Sequence, residues 1–177
     1  VLASGGVIVP PKGYHKRCLE VCRKYDVIYI SDEVVTAFGR LGHWFASKEV
    51  FGIEPDIITC AKGLTSGYIP MGACIISVRL FSQISGDGSQ YATVSNGYTY
   101  SGHPVSSAAA LKNIEIIENE GLLEHVREIS PYFQQRIKEL RKLPLVGNTR
   151  GVGLVGCVEC QIVDSESHDA LEMDIAM

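Results

Sequence analysis

Apolar positions in the first eighty residues follow two different spacings. Between Tyr14 and Tyr25 they recur every three or four residues, with charged residues mostly on the opposite face, and this spacing predicts an amphipathic helix. Residues 27–30, 56–60 and 72–77 are instead short apolar runs, which predict buried strands. Because a crossover separates the first two runs, the pattern favours parallel pairing in a sheet covered by helices.

Helical spacing returns at Pro104. Proline suits the first turn of a helix and Gly121 supplies a stop, so one helix is predicted between these two residues. A second amphipathic helix is predicted over residues 122–142, where Pro131 could interrupt it, and strands punctuated by glycine follow over residues 146–160. The second helix is expected to bridge two domains, and the whole pattern predicts an α/β fold.

Composition and charge narrow the class of protein. The chain is 46% hydrophobic and 20% charged, which is typical of a soluble globular protein. Its net charge is -4 with lysine and arginine scattered, and this argues against a nucleic-acid-binding face. No apolar run is long enough to span a bilayer. The expected partners are therefore small molecules or a second copy of the chain, and neither nucleic acid nor membrane.

The six cysteines lie mostly inside apolar runs, as is typical of buried free thiols in a reducing compartment. Cys157 and Cys160 have the spacing of a CxxC motif, but they lie in a predicted strand, where residues three apart face opposite sides. No metal site is expected there. Both ends of the sequence indicate a part of a longer protein, since it opens on Val1 with residues typical of a domain interior and stops without a capping pattern.

Two polar residues stand at the carboxyl ends of the first two predicted strands. Asp32 follows one strand and Lys62 follows the other, and ligands of open α/β sheets bind at this edge. Either residue alone would more often be a loop residue or half of an ion pair. Together, an amine and a carboxylate are what pyridoxal 5'-phosphate (PLP) requires, because the amine forms an imine and the carboxylate keeps the ring nitrogen protonated.

Three segments match a known family in order and spacing. Residues 31–42, SDEVVTAFGRLG, contain an Asp-Glu-Val segment followed by Phe-Gly-Arg. Residues 55–72, PDIITCAKGLTSGYIPMG, have the form of the run around a cofactor lysine, and residues 97–104, GYTYSGHP, have that of a phosphate-binding loop. These segments resemble the class III (subgroup II, ω-type) aminotransferases of PLP fold type I. That family commonly has glycine where Ala37 stands here.

The resemblance implies roles for four residues. Lys62 would carry PLP as a Schiff base and move a proton between substrate and cofactor, while Asp32 would pair with the ring nitrogen. Val34 would pack on the ring, although a valine here is otherwise ordinary core packing. Thr99 would reach the cofactor phosphate from the neighbouring subunit, although a threonine in a turn is usually a local cap. Each active site would then need two chains, in a homodimer or a dimer of dimers.

Four further polar residues are expected to be structural. Glu33 is expected to hold its loop, and His103 to organise the start of the helix at Pro104. Arg40 and Arg150 could grip a carboxylate with two hydrogen bonds, but their context in the family favours a structural role.

The resemblance also implies an architecture and a reaction. Residues 1–128 would form the later part of the large PLP-binding domain, a mostly parallel sheet with flanking helices. Residues 129–177 would form a linking helix and the start of a smaller α+β domain. The expected reaction is ping-pong transfer of an amino group from an amine or amino acid, of the ω type, to a keto acid in the cytoplasm. Residues 1–177 alone are expected to be inactive. The alternatives are an aminomutase or decarboxylating transaminase of the same family and, less favoured, a silent dimerising homologue.

Overall fold

A computed structural model of the chain describes residues 1–85 and 97–161. These residues form two compact units. The larger unit is Pro10–Arg127, and the smaller unit combines Val1–Val9 with the chain from Glu128 onward. Each unit contains one β-sheet among its described residues.

Short strands and helices alternate in the larger unit. In chain order they are α1 (Tyr14–Lys24), β1 (Ile30–Asp32), α2 (Ala46–Glu49), β2 (Ile57–Cys60), β3 (Ala73–Ile76), α3 (Val78–Ile84) and α4 (Pro104–Asn119). A 3-10 turn, Lys62–Leu64, follows β2. The helices predicted from Tyr14 and from Pro104 are confirmed, with both starting residues as expected.

The sheet of the larger unit has the strand order β1-β2-β3. β1 pairs with β2 in parallel, as predicted, whereas β3 runs antiparallel to β2. The ladder begins at Ile30 rather than at residue 27, because the N–H of Tyr29 donates to the side chain of Asp56 at 2.8 Å instead of to a β2 carbonyl. The prediction that the apolar runs are buried is wrong for the first and third runs. Val27 is 52% exposed and Ile28 49%, since no described element covers them. Ile30, Ala73, Cys74 and Ile75 are also exposed.

The apolar core of the larger unit lies around the end of β2. Most of its buried side chains come from the crossover between β1 and β2, from the turn after β2 and from α4: they are Ala37, Leu41, Ala46, Ile53, Cys60, Leu64, Leu80, Ala110 and Ile117. Burial of such side chains is the main stabilising contribution to folding. Because Cys60 and Leu64 flank Lys62 on either side, the core anchors the backbone on both sides of this lysine.

Asp56 is a buried carboxylate immediately before β2. Its side chain is 1% exposed and accepts hydrogen bonds from Arg23 of α1 and Arg79 of α3, both at 2.6 Å, and from the N–H of Tyr29. Burial alone would raise the pKa of Asp56, but the three donors outweigh burial and hold this pKa well below its usual range. The carboxylate therefore stays ionised and joins two helices to the sheet.

The smaller unit is built on an antiparallel hairpin of β4 (Val146–Val152) and β5 (Val155–Cys160). It also contains the later part of α5 (Leu122–Glu139), a helix that crosses the boundary between the units, and a 3-10 turn, Leu140–Lys142. α5 runs through Pro131 without a break, so the interruption considered from the sequence does not occur.

Side chains of the smaller unit hold this hairpin. Gln134 of α5 donates to the carbonyl of Gly153, in the turn between the strands, at 2.8 Å. Arg150 of β4 donates from Nε to the carbonyl of Gly6 at 2.6 Å, and its guanidinium pairs with Glu159 on β5. The structural role predicted for Arg150 is therefore confirmed.

The cysteines are all free thiols, but only Cys60 is buried, so the expected burial is confirmed for that cysteine alone. Cys157 and Cys160 lie in β5, a strand as predicted. Among the described residues, no group of three or more His, Cys, Asp or Glu side chains is placed to hold a metal ion. Over the same part of the chain, no helix combines the length and the apolar character needed to cross a membrane.

The substitution Asp56→Asn tests the connection between β2 and the two helices. In the full-length protein we expect it to lower the free energy of unfolding by about 2–3 kcal/mol at pH 7, because Arg23 and Arg79 lose a charged acceptor. The folded pKa of Asp56 lies below its unfolded value near 3.8, so the wild type begins to lose this contribution as the pH falls below that value. The difference between the two proteins should narrow by about 1 kcal/mol by pH 3.

Urea unfolding at a series of pH values between 7 and 3 measures this difference. Glu54→Gln is the control, because Glu54 is an exposed carboxylate two residues away that pairs with Lys48. It should change stability by less than about 0.5 kcal/mol. A difference for Asp56→Asn that stays constant across the pH range would contradict the role given to the ionised carboxylate.

Candidate active site

Asp32 and Lys62 lie at the same edge of the sheet. Asp32 stands opposite Thr59 in the parallel ladder, and Lys62 comes three residues after Thr59. The N–H of Glu33 continues the ladder by donating to the carbonyl of Thr59 at 2.8 Å. The side chains of Asp32 and Lys62 are both exposed. The register thus brings a carboxylate and an amine to the edge where ligands of open α/β sheets bind.

The turn after β1 orients Asp32. Its Oδ1 accepts a hydrogen bond from the N–H of Val34 at 3.0 Å, so the side chain closes a short ring with its own backbone. Its other oxygen, Oδ2, has no hydrogen-bond partner among the described residues and can accept one from a ligand. Val34 is half-buried beside it.

Lys62 opens the 3-10 turn with an unusual backbone conformation. Its φ is +45°, in the left-handed region that residues other than glycine rarely adopt. Within the described residues its amine makes no ion pair. Strained backbone of this kind is concentrated at functional sites, where the surrounding structure must hold it in place. The lysine is therefore exposed while its main chain is constrained.

The turn after β2 packs directly on the loop after β1. A Cβ added to Gly63 would lie 3.0 Å from the Cβ of Phe38 and 3.3 Å from the carbonyl oxygen of Ala37, so no other residue fits this contact without a shift. The positive φ angles of the loop fall at Phe38 (54°), Gly39 (90°) and Gly42 (82°) rather than at Ala37. Alanine at the position where the family commonly has glycine therefore requires no unusual backbone here.

Glu33 is a buried carboxylate, 2% exposed, that follows Asp32 in the chain. It accepts hydrogen bonds from the N–H groups of Ala46 and Ser47, both at 2.7 Å, and from the hydroxyls of Ser47 and Thr36. These contacts place a negative charge at the start of α2, where it is favourable. The prediction that Glu33 holds its loop is confirmed.

Thr99 is exposed in the loop before α4. In this loop the N–H of Tyr98 donates to the hydroxyl of Ser101 at 2.9 Å. A cavity of about 250 Å³ opens beside the loop, lined by residues 70–72, 98, 100–103 and 106. Thr99 is next to these lining residues in sequence but is not one of them. The first turn of α4 lies at this cavity, where the N–H groups of Val105 and Ser106 have no partner within the helix, and such a turn is typical of an anion-binding position.

The expectations for His103 and Arg40 have different outcomes. His103 stands at the N-cap position of α4, but its side chain forms no capping hydrogen bond. Its ring instead lies edge-on to Tyr100, with 6.3 Å between the ring centroids, so the expected side-chain cap is not formed. Arg40 is exposed and forms no ion pair with the described residues, so its structural role stays a prediction.

Asn113 is a residue near the site that the sequence pattern does not reveal. It is half-buried on the face of α4 that carries Ala110 and Ile117, and its amide bonds to the turn after Lys62. One feature of the sequence does point to Asn113, namely its residue type at that position of the helix. Asparagine is unfavourable in the middle of a helix, because its side chain competes for backbone hydrogen bonds.

Comparison with known proteins agrees with this geometry. The chain matches the family described as Aminotransferase class-III over residues 1–173. A probable aminotransferase of Mycobacterium tuberculosis is 49% identical over 150 residues, which cover 85% of this chain and 31% of that protein. Putrescine–pyruvate aminotransferase of Pseudomonas aeruginosa is 46% identical over 160 residues, which cover 90% and 34%. An (S)-enantioselective omega-transaminase from Thermomicrobium roseum is similar in structure, with a TM-score of 0.80 and 42% identity over 92% of this chain and 35% of that one.

The fold is that of the PLP-dependent transaminases of fold type I. The chain belongs to the class-III aminotransferase family, whose cofactor is PLP. It spans about a third of the length of the curated relatives it matches. The donor set fits this cofactor, since the same edge of the sheet carries an exposed amine and an exposed carboxylate.

Glu33→Gln tests whether the charge of Glu33 supports the loop behind Asp32. We expect a loss of about 3 kcal/mol in the free energy of unfolding, because the amide group of glutamine cannot accept the hydrogen bonds that one carboxylate oxygen accepts. Chemical denaturation of the full-length protein measures this change. Glu49→Gln, at an exposed position of α2, is the matched control and should have little effect. Equal stability of the two variants would refute the role of Glu33.

Proposed function

We propose that the protein transfers an amino group from an amine or ω-amino acid to a keto acid, with PLP held by Lys62 and Asp32. The observation that carries this proposal is the parallel register of β1 and β2, which brings an exposed amine and an exposed carboxylate to one edge of the sheet. The relatives named putrescine–pyruvate aminotransferase and omega-transaminase support an ω-amine donor.

Each candidate residue has a distinct part in this proposal. When bound, PLP withdraws electrons from the substrate carbon next to the nitrogen. The Lys62 amine would hold the cofactor through its aldehyde group and, when free, would carry a proton to and from that carbon. Oδ2 of Asp32, which has no partner among the described residues, would accept a hydrogen bond from the protonated ring nitrogen, and the half-buried Val34 would pack on the ring.

The assembly and location form a second part of the proposal. Two copies of the protein share each site, with the exposed Thr99 loop binding the cofactor phosphate held by the other copy. Residues 1–128 belong to the large PLP-binding domain and residues 129–177 to a smaller one. The division between Arg127 and Glu128 supports the boundary between them, whereas Val1–Val9 group with the smaller unit. The six free cysteines support a reducing compartment, the cytoplasm.

Reduction with borohydride tests the role of Lys62. The full-length, PLP-loaded protein should carry a pyridoxyl label on Lys62 after reduction and peptide mapping, because only a lysine amine bound to the aldehyde is trapped. Lys62→Arg should carry no label, since a guanidinium does not form the imine. Lys48→Arg is the matched control and should be labelled like the wild type, because Lys48 is an exposed lysine paired with Glu54. A label on any other lysine of the wild type would sink the proposal.

Asp32→Asn tests the carboxylate separately from the lysine. We expect the variant to keep the pyridoxyl label on Lys62 but to lose at least about 10²-fold in kcat, because asparagine does not stabilise a protonated ring nitrogen. Steady-state kinetics and labelling of the same preparation give both values. Asp26→Asn is the control, since Asp26 is exposed with a φ of +53°, which asparagine tolerates. An unchanged kcat for Asp32→Asn would show that Asp32 is not the partner of the ring.

A further inference from the structure

Residues 62–66, which include the 3-10 turn Lys62–Leu64, form a turn that is weakly held by its own backbone. Its φ angles are positive at two residues with side chains, +45° at Lys62 and +51° at Ser66. Two of its internal hydrogen bonds are long. The N–H of Thr65 donates to the carbonyl of Lys62 at 3.3 Å, and the N–H of Ser66 donates to the carbonyl of Gly63, also at 3.3 Å. A turn with strained dihedrals and long hydrogen bonds needs support from outside itself.

Asn113 of α4 supplies that support. Its Nδ2 donates to the carbonyls of Gly63 at 2.8 Å and Leu64 at 3.1 Å. Its Oδ1 accepts a hydrogen bond from the hydroxyl of Ser66 at 2.6 Å. One side chain from 47 residues further along the chain thus contacts three residues of this turn.

The chemistry of these contacts requires an amide. Two of the partners are carbonyl acceptors and the third is a hydroxyl donor, so the side chain must donate and accept at the same time. Aspartate is equal in size but would place an oxygen against the two carbonyls. Asn113 is half-buried between Ala110 and Ile117 on one helix face. Its contacts to Gly63 and Leu64 are partly buried, so water replaces them less readily than it replaces the exposed contact to Ser66.

The turn at residues 62–66 contacts the loop that follows Asp32, the second residue of the candidate site. Gly63, whose carbonyl Asn113 binds, makes the close contact with Phe38 in the loop that follows Asp32. Asn113 therefore holds the turn at the point where it touches this loop. A shift there would change the position of the Lys62 main chain relative to the loop.

We infer that Asn113 is a positioning residue for Lys62, acting through its three hydrogen bonds to Gly63, Leu64 and Ser66. This inference rests on the proposed role of Lys62 in binding PLP. Asn113 fixes the left-handed start of the turn, and with it the position from which the amine reaches the cofactor and the substrate. A displacement of about 1 Å in such a group can cost about 10²-fold in rate.

The test compares Asn113→Ala and Asn113→Asp with the wild type in the full-length protein. Hydrogen exchange in the cofactor-free protein should be at least about tenfold faster at the amides of residues 64–66 in both variants, because the turn opens more readily. In the PLP-loaded protein kcat should fall by about 10²-fold while KM for the amine donor changes less than about threefold. A purely structural role would not produce this separation of kcat from KM.

Asn119→Asp is the matched control, because Asn119 is exposed at the end of the same helix. It should leave both the exchange and kcat unchanged. Ser66→Ala keeps the Cβ and removes one of the three hydrogen bonds, so it should accelerate exchange at the turn and lower kcat by about fivefold. If the Asn113 variants do not fold, the Ser66→Ala result tests the inference, and unchanged exchange in this variant overturns it. If they do fold, unchanged exchange or unchanged kcat in Asn113→Ala overturns the inference.

Failure of the proposed function has a different signature. In that case borohydride does not label Lys62 in the wild type, and the labelling result alone shows it. If the wild type is labelled on Lys62 but Asn113→Ala behaves like the wild type in exchange and kcat, the inference about Asn113 fails while the proposed function stands.

Discussion

The carboxylate of Asp56 fixes the register between β1 and β2, and the position of the candidate site follows from that register. The Asp56 side chain accepts a hydrogen bond from the N–H of Tyr29, and the N–H of Asp56 donates to the carbonyl of Tyr29 at 2.9 Å. These two hydrogen bonds join the backbones one residue before the ladder begins. One residue further along each strand, Ile30 stands opposite Ile57, and the ladder then brings Asp32 opposite Thr59. A slip of one residue would turn Asp32 to the other face of the sheet.

A second buried carboxylate, Glu33, holds the carboxyl end of β1, as Asp56 holds the amino end of β2. Glu33 ties the end of β1 to the start of α2, as Asp56 ties the start of β2 to α1 and α3. Burying an unpartnered carboxylate would be strongly unfavourable, but each of these accepts at least three hydrogen bonds. Both charges are thus tolerated inside the unit because nearby donors satisfy them.

The sequence predicted the features of this chain that depend on local spacing. The start of α1 and of α4, the parallel pairing of β1 and β2, and the structural role of Glu33 follow from periodicity, turn chemistry and family context. It did not predict contacts between side chains distant in sequence, such as Arg23 with Asp56, because periodicity carries no information about them. The exposure of Val27 was missed for a related reason, since an apolar run indicates a strand but not what covers it.

The backbone at Lys62 shows how such distant contacts decide a local conformation. A left-handed residue with a side chain costs about 1–2 kcal/mol, and the turn has two of them, Lys62 and Ser66. Each hydrogen bond of Asn113 contributes about 1 kcal/mol net, so its three bonds are of the same size as the cost they offset. The turn is therefore stable with α4 in place and close to unstable without it. A helix far along the chain sets the conformation of the candidate cofactor lysine, and no reading of residues 55–72 alone can show this dependence.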